Sequence, residues 1–312
     1  MPVPTLHPQP PIHAPAPLDR PLGGILIVIC AGFVFGISDA TAKYLTPTIP
    51  VIEIAWMRWL GFLAIVSPII AYSRGEILRS RRPVLQTARA FCLLFSSLLF
   101  ILGLSALPLA SATTLNFVSP MLVTALSIPL LGEQVGLRRW AAIGVGLVGV
   151  LIVVRPGTGT FGPAALFPML SAASWAMGVV LTRKLAGIDR AWTAMCYAAI
   201  VGFAALSVAV APVFVVPTWR EAGLGMLVAI AATAGQYLTV LAFQRAPASL
   251  LAPFSYVQLI WSTFFGYLIF GNLPDHWTWA GATVIIGSGL YTAHRERVRL
   301  KQERASRGSG RA

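Results

Sequence analysis

The chain has 312 residues, of which 57% are hydrophobic and only 11% are charged. A typical soluble domain has about 25% charged residues, so this composition excludes an ordinary soluble protein and indicates that lipid covers part of the surface. The net charge of +13 is compatible with nucleic-acid binding, but the basic residues lie between and after long apolar runs. We therefore predict a membrane protein surrounded by membrane lipid, with no nucleic-acid partner.

Ten segments are apolar enough to cross a membrane as helices, each of which needs about 20 residues. The runs do not alternate as the strands of a closed barrel would, so the predicted fold is all-α and polytopic. In chain order, the ten predicted transmembrane helices occupy residues 23–43, 51–72, 84–106, 110–131, 139–155, 163–184, 192–212, 222–243, 248–270 and 277–294. Segment 139–155 is short, so we expect it to run steeply or to be shielded by protein.

The distribution of basic residues predicts the orientation of the chain. Residues 1–22 form a proline-rich tail that we expect to be disordered, and residues 295–312 form a basic tail that continues the last helix before fraying. With the amino terminus in the cytoplasm, all but four of the 23 Lys and Arg residues lie in cytoplasmic loops and tails or at the cytoplasmic ends of spans. The exceptions are Lys43, Arg155 and Arg220 outside and Arg58 within a span. We predict a multi-pass protein of the cell inner membrane with both termini in the cytoplasm.

An internal repeat divides the chain into two halves. Three pairs of landmark residues share one spacing of 139 positions, namely Pro108 and Pro247, Gly132 and Gly271, and Trp140 and Trp279. Residues 23–155 and 163–294 then form two repeats of five spans each. Because five is odd, the second repeat enters the membrane inverted relative to the first, an arrangement found in many secondary transporters with a substrate site between the repeats.

The residues that carry this repeat also resemble a known family. Residues 107–113, Pro120 and residues 131–133 are similar to the EamA-type domain of the drug/metabolite transporter superfamily, and residues 246–253 with 270–272 are similar to its second copy. Arg58 also matches the family pattern, whereas Asn272 stands where the family often has Glu, and we expect a structural consequence there. The resemblance implies ten helices and a central cavity built from both halves. Members move amino acids, nucleosides, vitamins and drugs in either direction.

Several motifs that indicate other chemistry are better explained by helix packing. The glycines at 144, 146 and 149 fit a dinucleotide pattern, but they lie inside an apolar span without the strand and acidic residue that the fingerprint requires. Gly32 and Gly36 form a pair typical of close helix contact. No phosphate-binding loop or catalytic constellation is present in the sequence, and the four histidines lie in tails or at span ends. We predict no cofactor, no metal site and no enzymatic activity.

The few charges inside spans are candidates for function. Asp39 and Arg58 both lie within the outer part of predicted spans, where an unpaired charge is costly, so such groups usually face protein and pair. Two interpretations stay open for them, a structural ion pair, or an outer gate or contact with a substrate charge.

Polar and aromatic residues near the midplane are the candidate substrate contacts, although ordinary helix packing is the alternative for each one. Polar groups in lipid must be satisfied internally, so they should face the bundle. Prolines at 120 and 253 can kink their helices, and the fourth and ninth spans should approach each other between the halves. The candidates are Asn116, Ser119, Ser174, Trp175, Gln236, Tyr237, Tyr256, Gln258 and Trp261.

These observations together predict a secondary transporter that moves a small organic metabolite by alternating access. An amino acid or a similar amphipathic solute is the favoured substrate, because aromatic walls suit apolar groups and amides can meet a zwitterion. The resemblance slightly favours export, and we expect a monomer. The alternatives are a vitamin, nucleoside or drug carrier of the same fold and, from other classes, a membrane-embedded enzyme or a scaffold protein.

Overall fold

The computed structural model describes residues 21–131, 137–155, 162–185, 188–189, 191–245, 251 and 254–309. Within these ranges the protein is all-helical and contains no strand. The helices are α1 (Pro21–Leu45), α2 (Val51–Tyr72), α3 (Pro83–Ala106), α4 (Leu109–Asn116), α5 (Ser119–Leu131), α6 (Leu137–Val154), α7 (Leu166–Leu185), α8 (Ala191–Val210), α9 (Trp219–Arg245), α10 (Val257–Phe270) and α11 (His276–Ser309). Three short 3₁₀ turns lie at Glu76–Leu78, Gly162–Ala165 and Ala211–Val213.

Seven segments of the described chain are long and apolar enough to cross a membrane, which confirms a polytopic membrane protein. They are Leu22–Leu45, Val51–Tyr72, Pro83–Ala106, Leu109–Leu131, Gly162–Leu185, Trp192–Val213 and Trp219–Ala242. Two shorter apolar helices, Trp140–Val154 and Val257–Phe270, lie within the fifth and ninth predicted spans. The tenth predicted span is the first part of α11. The count of ten crossings stays a prediction.

The tails differ in part from the prediction. Helix α1 begins at Pro21, so residues 21 and 22 are helical rather than part of the predicted disordered tail. Proline is favoured at the first helical position because no intrahelical partner is needed for the missing N–H. Residues 1–20 lie outside the described residues. At the other end, α11 extends as a helix through Ser309.

The fourth predicted span is broken into α4 and α5 at Phe117 and Val118. Pro120 has no N–H to donate to the carbonyl of Asn116, four residues earlier, so the regular helix cannot continue through this point. Pro253, the corresponding predicted kink, lies outside the described residues.

Small residues allow the closest helix contacts. A methyl group at Gly149 would lie 2.9 Å from Ile285 Cγ1, and one at Gly281 would lie 2.6 Å from the Gly149 carbonyl oxygen. Gly146 faces Met121 of α5. The glycines that imitate a dinucleotide motif therefore pack α6 against α11 and α5, as predicted, with the exception of Gly144, which meets no atom within 4 Å among those described.

One end of the bundle is held by a half-buried carboxylate that joins two loops. Asp189, which follows α7, accepts hydrogen bonds from Ser80 Oγ, from the Arg81 backbone N–H at 3.0 Å and from Gln86 Nε2 at 2.9 Å. Burial raises the pKa of the Asp189 carboxyl, but these hydrogen bonds and the Arg81 charge outweigh that effect and hold the pKa below its ordinary value. This contact, which we call the Asp189 clamp, joins the loop before α3 to the loop after α7.

The opposite end has its own set of interhelical contacts. Lys43 Nζ donates to the carbonyl oxygens of Leu104 and Leu107, both at 2.6 Å, and so caps the end of α3. Glu53 Oε2 accepts a hydrogen bond of 3.1 Å from the Val215 N–H. Arg155, at the end of α6, pairs with Asp275 in the loop before α11 at 2.5 Å. Other contacts at this end join Arg220 and Tyr44.

Candidate functional site

A buried ion pair lies between α1 and α2. Arg58 Nη2 is 2.8 Å from Asp39 Oδ1, and the two side chains are only 14% and 6% exposed, respectively. The same nitrogen also donates to Ser38 Oγ at 2.9 Å, and the Ser38 hydroxyl donates to the Val228 carbonyl of α9 at 3.2 Å. Apart from Lys43 and Glu53 near the ends of the two helices, α1 and α2 contain no other charged residue, so this pair places charge within an apolar part of the bundle. The two interpretations of its role, a structural ion pair or an outer gate or substrate contact, stay predictions.

Helix α10 brings the second half of the chain to the same charges. Gln258 Nε2 lies 3.4 Å from Asp39 Oδ2, a long hydrogen bond compared with the usual 2.7–3.2 Å. Arg58 Nε is buried, and no hydrogen-bond acceptor reaches it from the described part of the chain. The ion pair is therefore satisfied only in part. Arginine offers five donors in a planar fork that matches a carboxylate, and at least one of these donors has no partner among the described residues.

The glycines of α1 explain how α10 comes so close. A methyl group at Gly36 would lie 3.1 Å from the Phe265 ring, and one at Gly32 would lie 3.5 Å from the Gln258 backbone. The prediction that this glycine pair serves helix contact is confirmed. The close approach also seats Trp261 against Phe33, with ring centroids 4.9 Å apart in an edge-to-face arrangement.

Trp261 forms an aromatic wall beside the ion pair. Its neighbours include Phe264 and, through Phe33, Phe265. The indole Nε1–H is buried without an acceptor among the described residues. Buried indole groups usually find a hydrogen-bond partner, so this N–H is a second buried donor that has no partner among the described residues. The arrangement can bind a flat or apolar group and still offer hydrogen bonds.

Residues at the α4–α5 break meet the start of α10. The Phe117 and Tyr256 rings have centroids 4.9 Å apart, which confirms the prediction that the fourth and ninth spans approach each other. Tyr256 is buried at 8% exposure. Asn116 Oδ1, at the end of α4, is buried and receives no hydrogen bond from the described residues. Ser119 begins α5 and is half-buried.

Trp175 projects from the side of α7 that faces the bundle. It lies four residues after Ser171 and seven after Pro168, and both of these are buried and contact α3. Residues at these spacings share one helix face, yet Trp175 is 40% exposed. Its ring therefore borders open space on a side of α7 that is otherwise packed. Ser174 is half-buried on the same helix.

The two candidates on α9 point in different directions. Gln236 is half-buried and lies seven residues after Ala229, which packs against Gly61 of α2, so Gln236 is on the bundle side. Tyr237 lies seven residues after Ile230 and eleven after Met226, which are both exposed. Tyr237 is itself 54% exposed and stands on the outer face of the helix, away from the other candidates.

The structure thus gathers Asp39, Arg58, Gln258 and Trp261, and adds members that the sequence analysis did not single out. Ser38 and Phe33 belong to the cluster. Ser38 could have been found because it precedes Asp39 and is polar in an apolar run, but Phe33 has no distinguishing signal in a helix of similar residues. Within the described ranges, no three His, Cys, Asp or Glu side chains stand close enough to hold a metal ion.

Apolar helices long enough to cross a membrane, packed around a buried charged cluster, define an integral membrane protein of the transporter type. The chain belongs to the EamA-like transporter family, which matches it twice, at residues 22–155 and 162–292. It is therefore a membrane transporter of that family.

The chain is similar to several curated transporters along nearly its whole length. It is 28% identical to an S-adenosylmethionine uptake transporter of Rickettsia bellii, over 85% of this chain and 91% of the relative. It is 29% identical to a riboflavin transporter of Rhizobium johnstonii, over 92% and 95%, and 27% identical to a pseudopaline exporter of Pseudomonas aeruginosa, over 86% and 95%. A solved crystal structure shares the fold with a TM-score of 0.62 and 20% identity, over 89% of this chain and 98% of that chain.

Proposed function

We propose that this protein is a secondary transporter of the inner membrane, acting as a monomer, that moves a small amphipathic metabolite by alternating access. Ten helices would form two inverted repeats of five, and both termini would be cytoplasmic. The favoured substrate is an amino acid or a similar solute. The observation that carries the proposal is the partly unsatisfied Asp39–Arg58 pair, which both halves of the chain contact beside an aromatic wall.

The pattern of helix contacts supports inverted repeats. The proposal pairs α1 with α7, α2 with α8, α3 with α9, α4–α5 with α10, and α6 with α11. If the halves are related by symmetry, each helix contact should have a counterpart in which both helices are replaced by their equivalents from the other half. The α1–α9 contact then corresponds to α7–α3, the α2–α9 contact to α8–α3, and the α1–α10 contact to α7–α5. All of these contacts occur. The α2–α8 and α6–α11 contacts each join two equivalent helices, so the symmetry leaves them unchanged. Matches of both halves to one family agree with this symmetry.

The arrangement of charges supports the orientation. Arg74, Arg79, Arg81 and Arg82 lie in the segment between α2 and α3, at the end of the bundle that carries the Asp189 clamp. Cytoplasmic loops of inner-membrane proteins are enriched in Lys and Arg. The end with the Asp189 clamp would then be cytoplasmic.

The site would hold an apolar part of the solute against aromatic rings and orient its polar end. Trp261, Tyr256 and the partly exposed Trp175 provide broad contact surfaces with few obligatory hydrogen bonds. The amides of Asn116, Gln236 and Gln258 can donate and accept. Tyr237 is excluded from this proposed set because it lies on the outer helix face.

The relatives limit the solute to small organic molecules but cover both directions of transport. An uptake transporter and an exporter are both among them. Export is the direction that we propose from the family resemblance. A riboflavin transporter among the relatives favours a vitamin carrier as the second candidate.

Purified protein in liposomes tests the proposal. We expect uptake or release of at least one labelled solute from a panel of amino acids, vitamins, nucleosides and dyes. Trp175→Ala and Gln258→Ala should raise the apparent substrate constant or abolish flux at unchanged folded yield. Trp219→Ala is the matched control, because Trp219 is 96% exposed at the start of α9, outside the site. Protein that transports none of the panel, or site variants that behave like the control, would contradict the proposal. A membrane enzyme would instead convert a solute into a product, and a scaffold protein would neither transport nor convert any solute.

A further inference from the structure

We propose that the Asp39–Arg58 pair is the receptor for the two charges of a zwitterionic substrate, and that substrate binding replaces their contact with each other. The substrate ammonium group would bind Asp39 and its carboxylate would bind Arg58. This inference rests on the proposed transport function and deepens it, because it assigns the substrate class to an amino-carboxylate rather than to an uncharged or singly charged solute.

The hydrogen bonds of the pair leave donors and acceptors with which a substrate could exchange. A single nitrogen, Arg58 Nη2, serves both Asp39 Oδ1 and Ser38 Oγ. The strongest arginine–carboxylate contacts use two parallel N–H donors, and this pair does not. Arg58 Nε, buried without an acceptor among the described residues, is the donor that a substrate carboxylate would gain.

The Asp39 carboxylate can likewise accept hydrogen bonds beyond the one that it receives from Arg58. Its Oδ1 faces Arg58, while its Oδ2 meets only the long 3.4 Å contact from Gln258 Nε2 within the described residues. An ammonium group presents three donors and would compete well with a neutral amide at that distance. Because Gln258 belongs to the second half of the chain, its displacement by substrate would couple binding at Asp39 to a contact between the two halves.

Charge balance explains why a zwitterion is favoured over its singly charged relatives. The empty site contains one positive and one negative group, so it is neutral as a unit. A zwitterion keeps it neutral while giving each buried charge a partner. A substrate with only one charge would leave one protein group unpaired in a place poorly screened by water, which is costly.

The first experiment needs no variant and uses labelled amino acids with apolar side chains, namely phenylalanine, methionine and leucine, in proteoliposomes. Each is compared with its carboxamide, which lacks the negative charge, and its N-acetyl form, which lacks the positive charge. We expect at least one amino acid to be carried. Both blocked forms should inhibit its transport at least about ten-fold more weakly, since a hydrogen bond to a charged group contributes that much or more.

The outcomes separate this inference from the proposed function. Transport of riboflavin or another solute without a zwitterionic group, with none of the amino acids carried, overturns the receptor role and leaves the transport function standing. Equal inhibition by the zwitterion and its blocked forms also overturns it. Absence of any transport overturns both.

A second experiment removes the charges together. The double variant Asp39→Asn with Arg58→Gln avoids leaving one buried charge unpaired, so it should fold more readily than either single variant. We expect it to keep the parent's melting temperature within a few degrees and to lose the preference for the zwitterion. Asp275→Asn is the control, because it removes one charge from the Arg155–Asp275 pair at the end of the bundle. A double variant that folds and discriminates as the control does would show that the pair is structural.

Discussion

The contact between α6 and α11 gives the sharpest test of the packing. In Gly281→Ala the new methyl group would lie 2.6 Å from the Gly149 carbonyl oxygen and even closer to Val153 Cγ2. Ordinary contact begins near 3.4 Å, so the two helices must separate by about 0.8 Å at this point. A flexible side chain could rotate away, but a backbone oxygen cannot.

The magnitude follows from two opposing effects. Replacing Gly by Ala in a helix is favourable by about 0.5–1 kcal/mol, whereas overpacking a close contact costs about 1–3 kcal/mol. The net change for Gly281→Ala is therefore a loss of about 0–2.5 kcal/mol in the free energy of unfolding, with a centre at about 1 kcal/mol.

The assay is thermal unfolding of the purified protein in detergent, with Gly287→Ala as the matched control. Gly287 lies on the same helix and has no atom within 4 Å of the position that its methyl group would occupy, among the atoms described. The control should be as stable as the parent or slightly more stable, and Gly281→Ala should melt several degrees lower. If Gly281→Ala melts at or above the temperature of the control, the close α6–α11 contact is not present.

The remaining predictions concern the two ends of the bundle. The pKa of Asp189 is lower in the folded state than its ordinary value of 3.8, so the folded state binds a proton at this carboxyl less readily than the unfolded state does. The ionised carboxylate therefore stabilises the fold at pH values above 3.8. This contribution is lost as the pH falls through the lower pKa of the folded state. The parent should lose stability over that acidic range, measured by melting temperature against pH, and Asp189→Asn should show a smaller loss. For topology, a reporter that is active only outside the cytoplasm should stay inactive when fused after residue 312, and strong activity there would contradict ten spans with cytoplasmic termini.

The sequence was sufficient to predict the all-helical fold class, most helix bounds, and the proximity of Asp39 and Arg58. Asp39 and Arg58 were recognisable because a charge in an apolar segment has few acceptable environments. The helix break before Pro120 was also recognisable, since proline removes a defined hydrogen bond.

The direction of each candidate side chain was much harder to predict. In a soluble helix the polar face identifies the surface, but in a membrane both the lipid-facing and the protein-facing sides are apolar. Gln236 and Tyr237 are adjacent and both carry a group that can donate and accept hydrogen bonds, yet one lies on the bundle side and the other on the outer face. Small residues gave the better signal, because Gly36 and Gly149 mark places where another helix comes close.

The interhelical contacts at the two ends have a thermodynamic consequence for any carrier that opens to each side in turn. If opening at the clamp end separates the loops that Asp189 joins, its hydrogen bonds to Ser80 and Gln86 are lost. If opening at the other end separates α2 from the segment before α9, the contact between Glu53 and Val215 is lost. The relative free energies of these contacts would then influence which conformation predominates without substrate. Weakening the clamp would enrich the form open at that end, so a solute offered there would bind more tightly without any change in the residues that touch it.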